Sequence, residues 1–205
     1  MTNQRHNPSS DSPRRGVPAV LPAGVAEAVR ESVLAVGVRR TTLTDVARRA
    51  GVSRMTLYRM VPDVEALILS VMTNDFAALL MDAEATASRK RSARGRLVAM
   101  TADVARRLPD EPLFRRVIDV DPDLLLPYLT ERIGSTQRLA IAHVERVIAE
   151  GQADGSIRGG NPEVMATAVL MAVVPYVVSA RLLEGIGRDA VLEEMARGLE
   201  GWLKP

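Results

Sequence analysis

Between Glu163 and Arg181 the chain runs for 17 residues, Val164 to Ala180, without a single charge. A helix that is apolar on all sides must be covered on all sides, so this stretch dictates what the remaining helices have to supply. It touches the lower length limit for a membrane span. Thr167, Ser179 and a mid-segment Pro175 interrupt it, however, and no basic cluster marks either flank, so no membrane partner is expected. One side can face the chain's own core and the other a second subunit. The last helical stretch carries a matching stripe of Val191, Leu192, Met195, Leu199 and Trp202. Pairing both stretches with their copies would build a four-helix homodimer interface. Val164, Met171, Val173, Val177, Val191, Met195, Leu199 and Trp202 are its candidate residues. Burial of the segment inside one monomer is the alternative.

The rest of the chain is punctuated in the same helical rhythm, with no useful alternating strand pattern, and predicts an all-α fold. Val25, Ala28, Val29, Ser32, Val33 and Val36 recur on one helix face until Gly37. Thr42 caps a short helix from Leu43 to Ala50, with Asp45 placed to reach back as a capping box. Gly51-Val52 turns the chain, Ser53 caps a third helix to Met60, and Asp63 caps a fourth from Val64 to about Ala87. Further helices are expected at Ser92–Leu108, Glu111–Ile118, Asp123–Ile133 behind an Asp121 cap, Ser135–Glu150, Pro162–Glu184 and Arg188–Leu203. Residues 1–20, rich in Pro, Ser, Asn and Arg, read as a disordered tail. Residues 21–68 then form a three-helix N-terminal domain, and 69–205 a larger helical domain.

Charge separates the same two parts. Residues 1–70 hold ten arginines against six acids, whereas the remainder holds 17 basic and 19 acidic residues. A polyanion partner for the first third alone fits that distribution, as does a merely solvated basic surface. The chain has no cysteine, and only His6 and His143 carry imidazole, so neither a metal site nor a cofactor is expected. The polar start lacks an apolar signal region, and a cytoplasmic location is the expectation.

Chemistry concentrates in Thr41–Arg59. Two short helices meeting at a Gly-centred turn form a helix-turn-helix. Small Ala47 lets the second cross closely over the first, Gly51 accepts a left-handed backbone, and Val46, Val52 and Leu57 face inward. Arg54, Met55, Thr56, Tyr58 and Arg59 are left outward, where the start of such a helix reaches base edges in the major groove of double-stranded DNA. Arg54, with Arg59 second, suits guanine O6 and N7, and Met55 and the Thr56 methyl suit thymine methyls. The hydroxyls of Thr44, Thr56 and Tyr58 suit phosphate oxygens, as do Thr42 and Ser53 once their capping roles are met.

The stretch DVARRAGVSRMTLYRMVPDVEALILSV, within Val25–Val71, resembles the DNA-binding domain of TetR-family transcriptional regulators. The matching elements are Thr41 and Thr42, Val46-Ala47, Ala50 to Ser53, Thr56 to Tyr58, and Asp63 before Glu65 to Leu67. Val61 departs from the family's usual aromatic, and Val64 from its frequent lysine. The resemblance implies a ligand-responsive homodimer, a repressor on a palindromic operator, released when a small hydrophobic or amphipathic effector fills a pocket in the larger domain. Phe76, Met100, Val104, Phe114, Tyr128, His143, Met165, Val169 and Tyr176 are the candidate pocket residues, with Met72 and Ile118 beside them. The fourth helix is expected to carry the coupling between pocket and reading head. Enzyme motifs are missing: no Gly-rich phosphate loop, nucleophile elbow or acid/base pair stands out. A helical protein-binding adaptor or dimerisation scaffold without DNA affinity is the competing reading.

Overall fold

The computed structural model describes residues 21–205, all helix and connection with no strand among them. The tail expected at residues 1–20 lies outside the described residues. Ten α-helices follow one another: α1 Val25–Val36, α2 Leu43–Arg49, α3 Arg54–Met60, α4 Val64–Ala87, α5 Ala93–Arg107, α6 Pro112–Val120, α7 Leu126–Thr130, α8 Ser135–Ala153, α9 Pro162–Val178 and α10 Arg188–Leu203.

Capping side chains set half of the ten helix starts. Thr42, Ser53, Asp63, Ser92 and Asn161 each accept a backbone N–H three residues on, the first-turn donor that an uncapped helix leaves orphaned. Asp45 differs in detail from a capping box: its carboxylate accepts from the Thr42 hydroxyl at 2.8 Å rather than from backbone. That bond, with Arg48 behind it, holds the Asp45 carboxyl below its usual range.

Two expected helices end differently. The expected Asp123–Ile133 helix is a 3-10 turn, Pro122–Leu124, followed by the five-residue α7. Pro127 has no N–H to donate back to the preceding turn, so the two turns do not fuse into one helix. Asp121 does not cap them; its carboxylate points to another element. The stretch from Pro162 likewise ends at Val178, and Ala180–Leu183 tightens into a 3-10 turn.

Buried apolar side chains gather into two main clusters. The first joins Val25, Val29 and Val33 of α1, Val46 of α2, Leu57 of α3 and Leu67, Ile68 and Val71 of α4. Val61 sits in it at 2% exposure, so the smaller residue at this position is fully covered. Leu113 and Val117 of α6 complete the cluster from far along the chain. The second cluster joins the distal half of α4, from Phe76 to Ala87, with α5, α8, α9 and Leu203 of α10. Helix α4 is long and apolar enough to cross a membrane by length and composition alone, and its apolar residues divide here between the two clusters. In α9 the charge-free surface also divides: Met165, Ala166, Val169, Tyr176 and Val177 are buried, whereas Val164, Ala168, Met171, Ala172 and Pro175 are exposed on one face.

Candidate nucleic-acid interface and ligand cavity

The turn between α2 and α3 is shaped by Gly51, which takes φ +66°. The Val52 N–H donates to the Ala47 carbonyl at 3.0 Å, closing the turn. Ala47 is 3% exposed, and its small side chain leaves the close helix crossing unobstructed. With Val46 and Leu57 both fully buried, the crossing angle is fixed by packing.

The opposite face of α3 is open. Ser53, Arg54, Met55, Tyr58 and Arg59 are exposed, as are Thr42 and Thr44 on the preceding segment, and Thr56 is half-buried. Met55 is 67% exposed, a large apolar side chain left in water at the start of a helix. Arg54 donates to the Tyr58 hydroxyl at 3.1 Å and lies over its ring at 5.0 Å. No carboxylate among the described residues pairs with Arg54 or Arg59. The Ser53 hydroxyl accepts the Thr56 N–H and shares a 2.7 Å bond with the Thr56 hydroxyl. Those two hydroxyls are therefore engaged locally, and the Thr56 methyl remains for apolar contact.

Beneath this head lies a cavity of about 1580 Å³, larger than the roughly 300–1,000 Å³ of ordinary small-molecule pockets. Of the residues expected there, Met72, Phe76, Met100, Val104, Phe114, Tyr128 and Val169 line it. Four do not. Met165 lies in the core against Gln152 and Gly160, Tyr176 donates its hydroxyl to the Arg188 carbonyl at 3.2 Å, and Ile118 belongs to a separate small hollow. His143 faces α4, 3.4 Å from Glu84 and 3.3 Å from Arg146. Burial, the larger influence, and Arg146 hold its pKa below the ordinary histidine value against the opposing pull of Glu84.

The cavity's upper wall is the end of α3 and the start of α4, from Tyr58 to Ala66. Arg59 thus stands at the cavity end of α3, and Arg54 at the end that is free to approach a groove. Leu113 and Phe114 of α6 also line the cavity, while Leu113 belongs to the head's buried cluster. Helix α6 closes this link at its far end, where the Asp121 carboxylate accepts the Val38 N–H at 2.8 Å and lies 3.4 Å from Arg39. Thr73 and Thr136 share a hydroxyl bond of 2.8 Å, and Arg30 grips Asp75. Nothing local in the sequence marks Asp121, because its partner lies 83 residues away.

The candidate dimer residues fall into three sets. Val164, Met171 and Trp202 are exposed, and Arg158 covers one face of the Trp202 ring at 4.6 Å. Val173 and Val177 instead line the cavity. Val191, Met195 and Leu199 are half-buried against the chain's own core.

No family model matches the chain. Its sequence is 33% identical over 180 residues to the HTH-type transcriptional regulator Mb2274c of Mycobacterium bovis, covering 87% of this chain and 92% of that protein. Its fold is similar to the TetR-family repressor AlkX of Dietzia sp., implicated in n-alkane biodegradation, with a TM-score of 0.68 at 19% identity over 89% of this chain and 97% of that one. It is also similar to the regulator FadR of Bacillus subtilis, solved with stearoyl-CoA, with a TM-score of 0.61 at 14% identity over 87% and 97% of the two chains.

Proposed function

Because this chain belongs to the helix-turn-helix transcriptional regulators and has the fold of the TetR family, we propose that it binds a palindromic operator as a homodimer and is released by an amphipathic effector in its cavity. The observation that carries this reading is the placement of one cavity directly under the reading helix. Tyr58 to Pro62, with Asp63, Glu65 and Ala66, form its roof, while Arg54 and Met55 on the same helix are exposed and no carboxylate among the described residues pairs with Arg54.

Residues 21–68 act as the reading domain and 69–205 as the sensing and dimerisation domain. Arg54 reads guanine, Met55 and the Thr56 methyl touch thymine, and Thr44 and Tyr58 hold phosphates. The exposed stripe Val164, Met171 and Trp202, continued by Ala168 and Ala172, meets its copy across the two-fold axis. An effector that prefers a different spacing of the heads lowers DNA affinity, and DNA lowers effector affinity by the same factor. Helix α6 carries this coupling together with α4, since it touches the cavity at Phe114 and the head at Asp121. The bound stearoyl-CoA of the FadR structure supports an effector with a long apolar part.

A mobility-shift titration with the DNA upstream of the protein's own gene tests the reading. Binding should weaken steeply with added salt, because neutralised phosphates release condensed counterions. A complex that forms with random DNA alone, or none at any salt, would contradict it.

A further inference from the structure

One wall of the cavity differs in chemistry from the rest. Arg132 and Arg138 both line it and both are exposed, and neither pairs with a carboxylate among the described residues. Many arginines elsewhere on the body are held by acids, as Arg96 is by Glu150, Arg107 by Asp82, and Arg188 by Asp110, and those without an acid, Arg89, Arg91, Arg116 and Arg158, do not line the cavity. Arg132 and Arg138 therefore bring two guanidinium charges, unneutralised by any carboxylate among the described residues, to the rim of a largely apolar space.

The turn that carries them is fixed. Gln137 donates to the Tyr128 carbonyl at 2.6 Å and accepts the Gly134 N–H at 2.7 Å, tying the end of α7 to the start of α8. The Tyr128 ring presses on Gly134, where an added Cβ would lie 2.6 Å from it. Arg132 lies over that ring at 4.8 Å, and Arg138 donates to the Ile133 carbonyl at 2.6 Å. Both side chains thus start from constrained positions, which lowers the ordering cost of gripping a ligand.

The same wall exposes Leu129 and Ile133, at 42% and 44%. An apolar chain passing them would remove that surface from water, a gain of roughly 25 cal/mol per Å². Of the acids that line the cavity, Asp75 is taken up by Arg30, and Asp63, Glu65 and Glu111 belong to the start of α4 and the approach to α6. On the head side Asp63, Glu65 and Glu111 outnumber the one lining arginine there, Arg59, and so disfavour an anion at that end.

We propose that the ligand is an amphiphile with an anionic head, carboxylate or phosphate, gripped by Arg132 and Arg138, its alkyl chain running inward past Leu129 toward Phe76 and Val169. This assignment rests on the reading of the cavity as the effector site. Charge-assisted hydrogen bonds to guanidinium supply the preference for an anion.

The test is calorimetric titration of the full chain with dodecanoate, dodecyl phosphate, dodecan-1-ol and inorganic phosphate. At least one anionic amphiphile should bind roughly ten-fold or more tighter than the alcohol, and its identity names the head. Inorganic phosphate, lacking a chain, should bind far more weakly. The Arg132→Gln/Arg138→Gln pair, with its fold checked by circular dichroism, should bind the alcohol as wild type does and lose the preference. The Arg132→Lys/Arg138→Lys pair should keep most of it. Equal affinity for acid and alcohol, a preference surviving in the Gln pair, or no binding by any amphiphile would overturn the proposal. Anion preference in a chain that never binds DNA would uphold this site and refute the regulatory reading instead.

Discussion

The carboxylate of Asp121, at the end of α6, accepts the backbone N–H of Val38, in the turn between α1 and α2, at 2.8 Å. Asp121 is 5% exposed, so the bond is shielded and neither partner has water as a ready substitute. Asp121→Ala should leave that N–H unsatisfied and cost about 1–3 kcal/mol, read as a lower urea midpoint at unchanged m. Operator affinity in the variant should also respond less to ligand than in wild type. An unchanged midpoint and unchanged ligand response would remove α6 from the coupling route.

Arg54 rests on Tyr58 in the DNA-free protein, bonded to its hydroxyl and stacked on its ring. If Arg54 reads a guanine, Arg54→Ala should cost about 1–3 kcal/mol and relax preference at one position of each half-site. Tyr58→Phe should weaken binding to all sequences alike, through the lost phosphate contact. Competition binding on single-base operator variants separates the two. A sequence-dependent effect of Tyr58→Phe would show that the phenol positions Arg54 instead.

Met171 is 51% exposed on α9, in line with Val164, Ala168 and Ala172, whereas Val173 lines the cavity. Met171→Glu should therefore shift sedimentation from dimer to monomer. Val173→Glu should leave the dimer and weaken binding of apolar ligands. The reverse pattern would place the two-fold axis on a different face.

His143 has its pKa held below the ordinary value of 6.5, first by burial and then by Arg146. The unfolded chain takes up a proton near that value while the folded chain does not, so stability should fall as pH drops through about 6.5 and level off below the folded pKa. His143→Gln should flatten this part of the melting profile. Identical profiles for wild type and variant between about pH 7 and 5 would refute the assignment.

Local rules in the sequence were enough for the capped helix starts and for the exposed face of α3. Thr42, Ser53 and Asp63 cap the helices they precede because a capping bond spans three residues and needs no tertiary partner. Gly51 and the inward Val46 and Leu57 follow from the same short-range geometry. Asp121 looks like another cap before Pro122, yet its acceptor is spent on Val38, a partner that only the folded chain brings near. His143 and Tyr176 sit on interior stripes as expected, but a stripe shows that a residue is covered and not by what. Glu84 covers the first, and the second turns its hydroxyl to Arg188. Arg132 and Arg138 fall at the end of one expected helix and the start of the next, and only the fold shows Tyr128 and Gln137 holding the turn between them against the cavity.

The central claim is that this chain recognises a two-fold operator through α3, and selection from a random duplex library tests it most directly. The two reading helices of a dimer must enter successive major grooves about 34–36 Å apart, or a multiple of that. The account predicts that the enriched sequences share an inverted repeat with half-sites at that spacing, and that Arg54→Ala relaxes one position in each half. Enrichment of no common sequence, or of a single site without two-fold symmetry, would contradict it.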